Sequence, residues 1–509
     1  MTYRSSWLRV PFLTFALTSL ITPTTLLFKT PTAQAQIPGY CQSSEQSALQ
    51  KEELLKQAMK GNQGAKQRYQ SMVQQSASQL RNCRSQSWPQ TQAVWLRLYE
   101  CDLKPGVLDS LMDRIVNRGY NRVNIEVFYG GQVMLPPSDN PTVFDSIVRK
   151  PEFAGRDLLA EAMQKARERG IAPYAWAFSM SYGYEYGKRA DRQGALARNG
   201  SGKTSAILTS SASPEVQVIE GDIDKVFVDP YSPEARQDYR QMVGAIAKRK
   251  PDGVLFDYIR YPRQTRGASV ATKTSDLWIY GRASQNVLLS RATNEKGRAV
   301  LEHYMAQGAL SASTLAAFDQ RYPKDGAAMW QGRQVPTFTT LPPASARIVR
   351  LNNDLWLLSV AHAYQGIVDF LSAAARPLQQ QGIKAGAVFF PEANRRVGRG
   401  FDSRMQPWDQ FPSNIEWSPM SYAVCGTSTD CIARQVQEVV ATAPNGTQVS
   451  PAIAGAWGGF SYNRPSLEAQ MQAIRQVAPQ VQTVSHFDFS WQDPLFSNAR
   501  RSCKVDYGT

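Results

Sequence analysis

Histidine is scarce, with three in 509 residues, and the six cysteines include no CxxC pair, so a zinc site of ordinary Cys/His spacing is not expected. No glycine-rich loop follows an early strand, which argues against a doubly wound nucleotide-binding sheet. Beyond Phe28 no stretch is long and apolar enough to span a bilayer. The basic residues are scattered and build no nucleic-acid-binding module, so no nucleic-acid partner is expected. Charged residues make up only 19% of the chain while hydrophobic residues reach 42%, a globular balance rather than a disordered one.

What is present begins with an export leader. Arg4 and Arg9 precede an apolar, Thr-rich run from Val10 to Phe28, and Ala33-Gln34-Ala35 supplies small-x-small cleavage chemistry. Pro11 and Pro23 interrupt the run, which favours a cleaved leader over an anchor helix. Losing Arg4, Arg9 and Lys29 with it takes the formal charge from +15 to +12, a balance that suits peripheral association with an anionic envelope surface. The expected location is exported, either periplasmic or extracellular. All six cysteines follow the leader, and an even number in an exported chain points to disulfides. Cys425 and Cys431 are close enough to staple one loop, and Cys41 and Cys83 bracket a helical segment. Cys101 and Cys503 would then tie the start of the main domain to its end.

The chain is too long for one ordinary core, since single cores stop growing near roughly 250–300 residues. Its organisation reads as a leader (1–35), a helical hairpin (36–88) and a main domain (89–509) with a large insertion at 263–347. The hairpin shows Leu49, Leu54, Leu55 and Met59 at helical spacing, then Tyr69, Met72 and Leu80 after a Gly-rich break. An exposed apolar stripe on it would mark a protein-binding arm.

From Thr91 short apolar runs alternate with amphipathic helices, the pattern of a parallel sheet. Eight strands are expected: Ala93–Tyr99, Arg122–Tyr129, Ala172–Phe178, Gly253–Tyr258, Ala385–Phe390, Asn414–Tyr422, Val449–Ala456 and Thr483–Phe489. Ser232-Pro233 starts a helix as N-cap and first-turn proline, and Gly119 and Gly170 close two others. Eight such units make an α/β fold of the (β/α)₈ TIM-barrel class, with its active site at the C-terminal strand ends.

Carboxylates and aromatic rings gather at those ends. Glu126, Asp257, Glu392 and Asp488 are the candidate acids. Trp176, Tyr182, Tyr258, Tyr422, Trp457 and Trp491 are candidate platforms, joined by Arg260 and His486. Sugars call for this mixture, because flat apolar faces stack on rings and glycosidic cleavage uses two carboxyl groups around an oxocarbenium-like transition state. Each residue also has a structural alternative: Asp257 paired with Arg260, Glu126 paired with Arg97, Glu392 solvated in its loop, Asp488 bracing the last strand. No metal or organic cofactor is implied, and the expected partner is a polysaccharide or oligosaccharide.

Five ordered blocks carry a family likeness: NRVNIEVFYGGQVMLP, APYAWAFSMSYG, VFVDPYSPEARQDYR, DGVLFDYIRYP and WSPMSYA. Together they resemble the glycosyl-hydrolase-like family 10 barrels, once called domain of unknown function 187, over about Gln92 to Trp491. The resemblance implies a (β/α)₈ barrel acting on carbohydrate, with Asp257 as the principal carboxylate. Related clans place an acid/base after strand five, which implies Glu392. Two places depart from the family pattern: Ser421 stands where relatives often carry Asn, and PEANRRVGRGFD is unusually rich in arginine. The expected activity is hydrolysis of O-glycosidic bonds in an envelope or extracellular polysaccharide. The alternative is a glycan-binding barrel without catalysis.

Overall fold

The computed structural model describes residues 40–205, 225–264, 266–336 and 340–507. The expected leader lies outside them. Eight parallel strands form the centre: β1 (Thr91–Leu96), β2 (Arg122–Tyr129), β3 (Ala172–Phe178), β4 (Gly253–Asp257), β5 (Lys384–Phe389), β6 (Glu416–Pro419), β7 (Ala452–Ala454) and β8 (Thr483–Phe487). Each pairs with its neighbours in sequence, and β1 pairs with β8 from Thr91↔Thr483 to Val94↔His486. Parallel bridges Trp417↔Val449 and Met420↔Ala452 join β6 to β7 and close the ring. The chain therefore folds as a (β/α)₈ barrel, covered on its outside by helices, as strands buried on both faces require.

The local chemistry explains the crossovers. Ser232 accepts from the Ala235 N–H with Pro233 opening the helix Pro233–Ala247, Asp157 caps Leu158–Glu168, and Ser466 caps Leu467–Val477. Gly119 follows the helix Val107–Asn117 at φ +78°, and a Cβ there would meet the Tyr40 carbonyl oxygen at 2.2 Å. Both its conformation and its closeness to Tyr40 require glycine.

At the N-terminal end of the barrel the interior is polar. Arg122 Nη1 donates to both oxygens of Glu416, at 2.9 and 3.0 Å, and its guanidinium lies 3.5 Å from the Tyr174 ring centroid. Gly253 leaves the room Tyr174 needs, since a Cβ there would come within 2.2 Å of the ring.

The hairpin comprises helices Glu45–Met59 and Gln63–Gln86, with Asn62 capping the second. Its apolar side chains Leu55, Ala65, Tyr69, Val73, Ala77 and Leu80 are buried, and Tyr69 and Arg169 both bond Asp113. The expected stripe thus faces the barrel's helices, with Leu49 left exposed, and does not present a partner-binding arm. All three expected disulfides are present: Cys41–Cys83, Cys101–Cys503 and Cys425–Cys431.

After β4 the inserted helices Arg282–Ser290, Glu295–Gln307 and Ala312–Arg321 pack a small core of their own around Val300, Leu301, Leu315, Trp330 and Leu355. A long helix follows the insertion and runs from Ala344 to Gln379. Its first turns place Leu351 and Leu355 at helical spacing into that small core. The arginine-rich loop after β5 forms a hairpin, Arg396–Val397 with Gly400–Asp402, which pairs with Val270–Ala271 of the insertion. Among the described residues no helix is long and apolar enough to cross a membrane.

Candidate active site

The C-terminal ends of six strands converge on three acids. Asp257 ends β4 and is 5% exposed. Its Oδ2 accepts from the Trp176 indole N–H at 2.9 Å, and its Oδ1 accepts from the Tyr258 backbone N–H at 2.7 Å. Burial pushes its carboxyl above the ordinary range, while those two donors and the charges of Arg260 and Lys225 pull the other way. Tyr258 turns the chain away at φ +51° and lays its ring 4.2 Å from Phe178.

Glu126 sits late in β2, beside a register shift between Glu126 and Phe128. It is 1% exposed, and no hydrogen-bond donor is aligned on either carboxyl oxygen. Arg97, just past β1, brings its Nε within 2.9 Å of Oε2 as an ion pair. Burial raises this carboxyl to about 7; Arg97 opposes the rise, and the nearby charges of Asp257 and Asp488 add to it. Asp488 follows β8, is 6% exposed and accepts from the Ser490 hydroxyl. The charges of Asp257 and Asp488 both act on Glu126, which groups the three acids around it.

Aromatic rings surround that group. Trp176 packs edge-on against Trp95 at 4.9 Å and lies 6.3 Å from Phe487. Tyr422, past β6, lies 5.8 Å from Phe487, and burial raises its phenol, with Asp257 and Asp488 adding to the rise. Trp491 stacks on Tyr462 at 3.9 Å, and Tyr462 and Phe460 are each 54% exposed on the loop after β7. Arg464 fastens that loop by donating to the Tyr422 carbonyl at 2.7 Å. Arg260 is buried over the Tyr258 ring at 4.8 Å, and its charge acts on Asp257.

Four sequence candidates make their contacts elsewhere. Glu392 is bound by Arg404 at 3.5 Å and Gln435 at 3.1 Å, a polar network of the β5 loop. Tyr182 is fully buried among Phe128, Phe144, Tyr186 and Tyr239, with its hydroxyl on the Ala235 carbonyl, so it packs the helix layer. His486 is fully buried with Nδ1 2.9 Å from the Tyr120 hydroxyl, and burial lowers it to about 3, which keeps it neutral. Trp457 donates to the same hydroxyl at 3.2 Å and lies in the apolar cluster of Ile453, Leu467 and Met471. The pairing of Glu126 with Arg97 that the sequence offered is present, while Phe487 and Tyr462 were missed. Phe487 ends β8 and could have been found there, whereas Tyr462 sits in a turn with no periodic signal.

Neither a family model nor a curated protein matches the chain. Among solved structures, an exo-β-N-acetylglucosaminidase of glycoside hydrolase family 20 from Vibrio harveyi is 8% identical at a TM-score of 0.40, over 84% of this chain and 60% of that one. A β-N-acetylhexosaminidase from Bacteroides fragilis is 10% identical at 0.38, over 83% and 66%. A family 18 chitinase from Pseudoalteromonas aurantia is 8% identical at 0.35, over 81% and 99%. The barrel assignment stands on this chain's own closed ring of eight strands.

Proposed function

We propose that the protein is an exported glycoside hydrolase of the family 10-like barrels, cleaving O-glycosidic bonds of an envelope or extracellular polysaccharide with Glu126 and Asp257. The observation that carries this reading is the pairing of two buried carboxyl groups with different surroundings at the barrel mouth. Asp257 receives two N–H donors, which favour its ionised form. Burial raises Glu126 to about 7 against the pull of Arg97, so it holds its proton on the acid side of neutrality. A proton donor beside a fixed carboxylate is the requirement for departure of a glycosidic oxygen through an oxocarbenium-like state. Glu126 thereby takes the acid role that the family resemblance would give to Glu392, because its charge is coupled to Asp257. Asp488 adds negative potential to the same group, and Trp176, Tyr258, Tyr422 and Trp491 offer faces for sugar rings. Three disulfides suit an oxidising, exported setting.

The test is product release from envelope and extracellular polysaccharides by the wild type beside Asp257→Asn and Glu126→Gln. Glu126→Gln should lose roughly 10²–10⁴-fold in rate, the usual contribution of a general acid. Asp257→Asn should release no measurable product while still binding glycan. Equal release by wild type and Asp257→Asn would remove Asp257 from the mechanism. Binding with no release by any form, wild type included, would favour the non-catalytic glycan-binding barrel.

A further inference from the structure

A cavity of about 140 Å³ opens beside the acid group, between the ends of β1 and β8 and the terminal helix Pro494–Arg501. Arg97, Tyr99, Asp488, Ser490, Asn498 and Arg501 line it. Its wall is rigidly held. Arg500 is buried against Asp102 through bonds of 2.8 and 2.5 Å and donates to the Arg97 carbonyl at 2.9 Å. The Cys101–Cys503 disulfide fastens the same wall to the chain end.

The charges in this cavity are unequal. Arg500 is matched by Asp102, and Arg97 faces Glu126 and Asp488. Arg501 is exposed, and neither it nor the Asn498 side chain makes a hydrogen bond or ion pair among the described residues. Asp488 is the one carboxylate in the lining, and the Ser490 hydroxyl already occupies its Oδ1. A cation and an amide without partners, on the wall of a small polar cavity, suit an oxyanion. The position adds a second constraint, because Arg97 is at once the wall of this cavity and the partner of Glu126. A group held here belongs to a sugar lying at the proposed acid.

Resting on the hydrolase reading above, we propose that this cavity binds an oxyanion substituent of the glycan, a uronate carboxylate or a sulfate ester, with Arg501 and Asn498 as its recognition groups. The substrate class is therefore an acidic polysaccharide. Tyr99 closes the cavity beside Arg97, and Ser490 offers a further hydroxyl.

Binding, read without cleavage, tests this on the full protein carrying Asp257→Asn. The probes are polygalacturonate, its carboxyl-reduced neutral form, and a sulfated galactan. Polygalacturonate or the sulfated galactan should bind at least roughly tenfold tighter than the neutral polymer, the worth of one charge-assisted bond. Arg501→Gln should remove that preference, with an unaltered melting temperature. Which anionic probe binds tighter assigns carboxylate or sulfate. Raising the salt concentration should weaken anionic binding in the unaltered cavity, a check that needs no Arg501 variant. Equal binding of acidic and neutral polymers, or a preference untouched by Arg501→Gln, would overturn the proposal. Failure of the hydrolase reading looks different: product release by the wild type would be no greater than by Asp257→Asn, whatever the binding preference.

Discussion

At the residue scale, the activity proposed for this barrel depends on keeping one carboxyl protonated beside another that is ionised. Glu126 is raised because burial disfavours its charged form, so it carries its proton below about 7 and loses it as the pH climbs through that value. Activity requiring its proton should therefore be present on the acid side and fall along an alkaline limb near pH 7, read from a rate profile on the cleaved polysaccharide. Because Asp257 and Asp488 share its field, the limb belongs to the coupled group. Glu126→Gln should remove the limb from the residual rate. Asp257 was legible from the sequence because a carboxylate at the end of a buried apolar strand is costly to desolvate, and such a cost is met where a site uses the charge. Glu126 was legible as a candidate, but its priority was not. Its raised affinity for a proton comes from burial, then from Asp257 and from Asp488 some 360 residues away in sequence, and no local pattern records that. His486 illustrates a readable signal left unused, since it shares its strand face with Val484 and so turns toward the helices with Tyr120 and Trp457.

At the element scale, β2 and β3 begin and end where their apolar runs do, because both faces are buried and Asn121 and Gly130 bracket the first while Gly170 and Ser179 flank the second. β6 and β7 are shorter than their runs suggest. The surplus residues there turn out of the sheet to present Tyr422 and the Trp457–Arg464 loop, so apolar character persists past the end of pairing. The buried pair of Arg122 and Glu416 was beyond sequence reading, because it spans β2 and β6 across the barrel interior. Removing one member leaves the other charge buried and alone, which costs about 3–5 kcal/mol. Glu416→Ala should lower unfolding stability by that amount in urea titration. A retained stability would show that water reaches Arg122 from the barrel's N-terminal end.

At the scale of the whole molecule, the eight-unit barrel was legible because each strand and helix declared itself locally and the fold repeats one unit. The insertion was less legible, since its helices answer to a separate small core and its edge is sealed by a hairpin from the β5 loop. The hairpin packing was predictable in kind, because its apolar stripe needed a cover. The disulfide Cys101–Cys503 encloses 402 residues of sequence separation. Closing so long a loop restricts the unfolded chain strongly, so the paired change Cys101→Ser with Cys503→Ser should cost about 3–5 kcal/mol. Calorimetry of the purified protein with and without the bridge measures this directly.

That same bridge makes most of the chain a covalent ring. A protease that cuts one loop anywhere between Cys101 and Cys503 linearises the ring without releasing a fragment. The nicked protein keeps its mass until a reductant opens the bridge. The barrel's wound can thus be held shut at its seam, and a cut in the insertion leaves both halves of the acid group on one molecule.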